Sequence, residues 1–141
     1  MSDDELKPLR WSPATGIGYK VTRRPDGGMN LIFSDVSLQT LSHWREFSLS
    51  HLLDSDRLTR NLYDLRQIEV LPPEAVEYAV EVNNDPSVRN IRLAVLVSND
   101  RVRESVEEIS ALTTPGGVEM GIFTNQEEAE AWLDRPLTLT V

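Results

Sequence analysis

NIRLAVLVS, residues 90–98, is the most apolar run in the chain, and it leads at once into NDRVRESVEEISAL, residues 99–112. A short continuous apolar run is the pattern of a strand deep in a sheet. In the second stretch Val102, Val106, Ile109 and Leu112 recur at helical spacing. Ahead of them stand Asn99 and Asp100, whose short side chains suit an N-cap. A strand feeding directly into a helix is a βα unit, and such units pair their strands in parallel through right-handed crossovers.

The unit repeats on either side of this stretch. Upstream, 59–67 reads as a strand, and Pro72 and Pro73 open a helix bearing Ala75, Val76, Ala79 and Val80. Asn83, Asn84, Asp85 and Pro86 stop it. Downstream, after a breaker loop at 113–117, residues 118–123 read as a strand. Asn125 with Glu128 then makes a start resembling a capping box for a short helix that buries Ala129, Trp132 and Leu133 and ends at Pro136. Nearer the N-terminus, Ile17, Tyr19 and Val21 alternate with Gly18, Lys20 and Thr22. Pro25, Asp26, Gly27 and Gly28 form a turn, and 30–36 returns as a strand. This predicts an antiparallel hairpin. Ser37 is placed to cap a long helix carrying Leu38, Leu41, Arg45, Leu49 and Leu52 and ending near Asp54.

The order is ββαβαβαβα. Residues 1–14 read as an N-terminal arm, 15–136 as one α/β domain, and 137–141, which alternate Leu and Thr, as a tail or an added edge strand. One face of the sheet collects Tyr19, Val21, Phe33, Tyr63, Leu65, Leu93, Val95, Val97, Val118, Met120 and Ile122. The other mixes Lys20, Thr22, Ser34, Asp64, Arg66, Ser98 and Glu119 with Ile32, Leu62, Ala94, Leu96 and Phe123. A sheet covered on both sides would be apolar on both. The helices are therefore expected mainly on one face, leaving the second partly open and available for contact, including homodimerisation.

The bulk numbers fit one core. A chain of 141 residues buries enough surface to fold without staples, and 40% hydrophobic with 26% charged residues lies far from the composition of disorder. Cysteine is absent, which excludes disulfides, thiolate metal sites and Cys nucleophiles and suits a reducing compartment. With no signal-like or membrane-spanning apolar stretch, a cytoplasmic location and no membrane insertion are expected. Acidic side chains number 23 against 14 basic, a net charge of −9, so neither nucleic acid nor an anionic membrane is an expected partner. The small arginine groups (Arg23 with Arg24, Arg89 with Arg92, Arg101 with Arg103) read as solvated edges.

The order of elements, the strand DLRQIEVL running at once into a helix, and the ending GIFTNQEEAEAWL resemble SpoIIAA-like proteins of the STAS superfamily. The resemblance spans about residues 17–133 and rests on packing and capping patterns. It implies a β-α superhelix: a five-stranded mixed sheet, its first hairpin antiparallel and the rest parallel, with helices mainly on one face. In the anti-sigma-factor antagonists of that superfamily, a phosphorylatable Ser or Thr lies in the loop and helix start after this strand. Here the matching stretch, IEVLPPEA at 68–75, holds no hydroxyl, so that switch is not expected. Other relatives imply small interaction domains or binders of apolar or nucleotide-like ligands.

Reactive groupings are sparse. His43 and His51 lie eight residues apart on one helix, where a zinc pair needs neighbouring positions. Ser48, Ser50, His51 and Asp54 have the residue types of a triad but no strained nucleophile turn. Asp54 and Asp56 suit a helix-terminal loop as well as Mg²⁺. Gly16 and Gly18 precede a strand and open no helix, unlike a dinucleotide fingerprint. Acid–base chemistry would need Asp64 and Arg66 buried in a cleft. Neither metal nor cofactor is expected. Trp132 reads as core, Trp44 beside Phe47 as packing or as the anchor of a dimer, and Trp11 as folded back over the sheet or docked on a partner.

The expectation is a non-catalytic regulatory or protein-interaction domain. Ligands of open α/β sheets gather beyond the carboxyl ends of the strands. The candidate surface is therefore Glu69, Val70, Leu71, Pro72, Asn99, Asp100 and Arg101, with a protein as partner. A small apolar or nucleotide-like ligand held between sheet and helices is the alternative.

Overall fold

The computed structural model describes residues 15–52, 58–86, 88, 90–114 and 118–136. The expectations for the arm 1–14 with Trp11, for Asp54 and Asp56, for the His51 side chain, for Arg89 and for the tail 137–141 lie outside the described residues. The elements are β1 (Tyr19–Arg23), β2 (Met29–Phe33), α1 (Leu38–Leu52), β3 (Thr59–Asp64), α2 (Pro73–Asn83), β4 (Ile91–Leu96), α3 (Asp100–Leu112), β5 (Val118–Phe123) and α4 (Gln126–Leu133). They follow the predicted order, with some ends drawn in: the strand expected over 59–67 stops at Asp64.

The sheet runs β1-β2-β3-β4-β5, antiparallel between β1 and β2 and parallel elsewhere. In the hairpin turn Gly27 takes a φ of 94°, open to glycine at little cost. Gly28 is needed for another reason: a Cβ there would lie 1.5 Å from the carbonyl oxygen of Arg60. Three helix starts carry the side-chain caps their sequences suggest. Ser37 Oγ accepts from Thr40 N at 3.3 Å, Asn99 Oδ1 from Val102 N at 2.8 Å, and Asn125 Oδ1 from Glu128 N at 3.1 Å.

On the first face, α1, α2 and α3 cover a core built from Tyr19, Val21, Leu31, Phe33, Leu93 and Val95 of the sheet. Their own contributions are Leu41, Trp44 and Phe47, then Ala75 and Val82, then Val102 and Val106. The α1 stripe differs from the predicted one. Leu38 is 58% exposed, while Thr40, Leu41, Trp44, Phe47 and Ser48 are buried, because the two aromatic rings turn the helix towards β1–β3. Leu112, expected to face inward, is 53% exposed; it is the last residue of α3, where the stripe runs past the sheet.

α4 packs alone on the second face, where Ala129 and Leu133 meet Leu62, Ala94 and Leu96. Three helices against one matches the expected asymmetry. Two arginines read as solvated edges are instead buried, Arg24 at 7% and Arg92 at 4% exposure. Both secure α4. Arg24 Nη2 meets Glu130 Oε1 at 2.8 Å, and Arg92 Nη1 donates to Arg135 O at 2.6 Å while its Nε meets Glu119 Oε1 at 3.0 Å. Arg60 donates to the carbonyls of Leu133 and Arg135. The last carbonyls of a helix lack intrahelical donors and carry its negative dipole end, so cations are the fitting partners. What stays open on this face is the part over β1 and β2, with Lys20, Thr22, Ile32 and Ser34 lining a groove of about 460 Å³.

Candidate functional site

Parallel βα units bring the carboxyl ends of β2–β5 and the amino ends of the four helices to one rim, and the predicted site residues lie there. The loop after β3 begins as an extension of the ladder, with Leu65 N donating to Leu96 O at 2.9 Å. It then turns tightly, Ile68 N donating to Leu65 O at 3.0 Å. Ile68 and Leu71 are buried, so the residues between them are forced outward: Glu69 is exposed and Val70 is 53% exposed.

Asn99 joins this loop to the one after β4. While its Oδ1 caps α3, its Nδ2 donates to Glu69 O at 3.2 Å and to Ile68 O at 3.4 Å. Ser98 Oγ adds a bond to Arg66 O at 2.9 Å. The rim is thus a braced surface. Asp100 and Arg101 stand exposed on its far side, Pro72 and Asn99 are half-buried within it, and Leu71 points inward. Sequence reasoning grouped these residues by strand topology. It did not anticipate that one amide would fasten the two loops, because a cap residue shows only its local role in the sequence.

Asp64 and Arg66 also belong to the rim. Their side chains pair at 2.8 Å, and Arg66 reaches Gln126 Oε1 at 3.4 Å at the start of α4. Burial pushes the Asp64 carboxyl up, but the side chain and the backbone amide of Arg66 outweigh it and hold the group below the usual carboxylate range. Arg66 is exposed, so the pair lies on an open surface. Among the described residues no three His, Asp or Glu side chains gather as a metal ion would require.

Beneath the rim, between the first face and its helices, lies a cavity of about 70 Å³. Its lining includes Phe33, Trp44, Tyr63, Leu71, Asn83 and Met120. The polar groups there are engaged. Trp44 Nε1 donates to the Tyr63 hydroxyl at 3.2 Å, and Asn83 Nδ2 donates to Thr113 Oγ1 at 3.1 Å. Burial pushes the Tyr63 hydroxyl up from its ordinary pKa, which keeps it neutral. A water occupies about 30 Å³ in the liquid, and a cavity of roughly 150 Å³ holds benzene, so this space suits only a few heavy atoms. Asn83 could not have been singled out from the sequence, where it reads as part of the helix stop.

Neither a family model nor a curated protein matches the chain. Among solved structures, it is similar to the crystal structure of an uncharacterised protein of the DUF3478 family with a SpoIIAA-like fold, from Shewanella loihica PV-4. The two are 17% identical with a TM-score of 0.59, over 87% of this chain and 98% of that one. Likeness at that identity speaks to architecture alone, and the architecture agrees with the one the sequence resemblance implied: this chain has a SpoIIAA-like α/β fold.

Proposed function

We propose that the chain is a non-catalytic interaction domain whose rim, from Glu69 to Pro72 and from Asn99 to Arg101, docks a protein partner. One observation carries the reading: Asn99 bonds the two loops to each other while Val70 projects 53% exposed from the braced surface. An aliphatic side chain held in place outside the core is suited to anchoring a partner, because little ordering entropy remains to be lost on binding. The hydroxyl–base pairs Tyr19 with His43 and Thr40 with Asp35, each at 2.7 Å, tie α1 to β1 and to the loop ahead of α1 and lie outside the proposed docking residues, which supports the non-catalytic reading.

The test is capture from native extract with wild type and with Val70→Asp, a surface change expected to move stability by no more than about 0.5 kcal/mol. The expected outcome is loss of the specific partner with an unaltered melting curve. Retention of every captured protein by Val70→Asp would sink the surface assignment.

The cavity favours a second reading, a carrier of a small apolar ligand between sheet and helices. Its present size is the argument against, since any ligand of more than a few atoms would have to part α2 from α1. Native mass spectrometry of freshly isolated protein separates the two readings: a reproducible adduct lost on unfolding favours the carrier, and bare protein favours the rim.

A further inference from the structure

The two edges of the sheet differ in a way the rim does not explain. β1 is short and carries Lys20 outward, with Arg23 at its end, and charged side chains of this kind are how natural sheets discourage pairing at an edge. β5, at the other edge, reads VEMGIF, with Glu119 as its single charge. That charge is already matched within the chain, by Arg92 at 3.0 Å and Arg135 at 3.5 Å. Phe123 O accepts from Val97 N at 2.9 Å, so by strand alternation the backbone groups of Met120 and Ile122 point away from β4. No described residue pairs with them.

We infer that the outer edge of β5 pairs antiparallel with β5 of a second copy of this chain, making one continuous sheet across a two-fold axis. α4 lies on the face opposite α1–α3, so a crossover through it to a parallel strand at this edge would be left-handed, a connection parallel strands almost never make. A second copy fits in charge and shape. With Gly121 on the axis, Met120 faces Ile122 of the second copy and Glu119 faces its Phe123, so apolar side chains meet on the first face and the two carboxylates stay apart. The half-open second face is the weaker candidate for self-contact, because Lys20, Thr22 and Ser34 interrupt it. This inference is independent of the rim and its partner.

Amide hydrogen exchange on the whole chain at high and low concentration, beside sedimentation, tests it. The expected result is a dimer in which the Met120 and Ile122 amides are protected when concentrated and exchange at least about tenfold faster on dilution below the dissociation constant. Val118→Lys, which places a charge at the half-buried start of this edge strand, is expected to weaken the dimer by about tenfold or more, while Lys20→Val on β1 leaves it unchanged. A monomer persisting to about millimolar concentration, or a dimer in which those amides exchange as freely as in the monomer, would overturn it. So would binding of a foreign extended peptide at β5 by a chain that stays monomeric. The exchange measurement stands even if Val118→Lys fails to fold.

Discussion

The two faces of the sheet are sealed by different physics. On the first, three helices bury aromatic and branched side chains against Leu31, Phe33, Leu93 and Val95, and the cover is held by apolar contact. On the second, α4 has eight residues, too few to be stable as a helix alone, and it brings a small apolar surface centred on Ala129 and Leu133. The remainder of its hold is ionic and dipolar. Arg24 grips Glu130, Arg60 and Arg92 cap its C-terminal carbonyls, and the guanidinium groups of Arg92 and Arg135 each stand over the Trp132 ring, at 5.7 and 5.3 Å. One face is held by a broad apolar core, and the other by a small apolar cluster and a few cations.

The largest expected effect lies on the first face. Trp44 is buried, stands edge-on to Tyr63 at 6.1 Å and donates to its hydroxyl. Trp44→Ala removes a large core side chain and is expected to cost about 3–5 kcal/mol. Denaturant unfolding should show that loss globally, with far-ultraviolet circular dichroism and the remaining tryptophan emission moving together. Separate transitions would mean that the first face is not the cooperative unit.

Arg92→Met should give a smaller and differently distributed loss. It takes a donor from the Arg135 and Leu133 carbonyls and the guanidinium from Glu119, whose carboxylate is exposed and can be hydrated. Arg60 still donates to both carbonyls, so the expected cost is about 1–3 kcal/mol. Hydrogen exchange should rise in α4 and stay unchanged in α1–α3. Equal loss of protection on both faces would erase the distinction between them.

This asymmetry marks where the sequence could be read. The alternation at 17–22, the apolar run at 90–98 and the helical repeats that follow are local, and they show the elements and their caps, while the polar residues on one sheet face show that most helices lie on the other. The cover of the second face was not legible, because Arg24 meets Glu130 across 106 positions of sequence and no periodicity links them. Arg92 did leave a signal: a charged residue inside NIRLAVLVS must find a partner if the strand is buried on both faces. Leu38 and Leu112 misled because hydrophobic spacing continues to the helix ends after the sheet beneath has stopped. At the rim, strand topology located the loops, but the projection of Val70 depends on both Ile68 and Leu71 turning inward, which alternation alone does not decide.

The smallest expected effect tests whether the first face depends on charge at all. Asp35, ahead of α1, accepts from Ser37 N at 3.0 Å and Thr40 Oγ1 at 2.7 Å, and that backbone amide and then the hydroxyl hold its carboxyl below the ordinary value. A carboxyl depressed in the folded state stabilises the fold above its unfolded pKa of about 3.9 and loses that contribution as pH falls through the lower folded value. Asp35→Asn keeps an acceptor and removes the charge. Because the group is exposed and screened, the loss at neutral pH should be below about 1 kcal/mol. The gap between wild type and variant in urea midpoints should be present at pH 7 and close as the pH is lowered through the folded pKa of Asp35. A gap that stays constant through that range would mean that geometry, rather than charge, holds the start of α1, and would leave the apolar seal of the first face with no ionic support at that point.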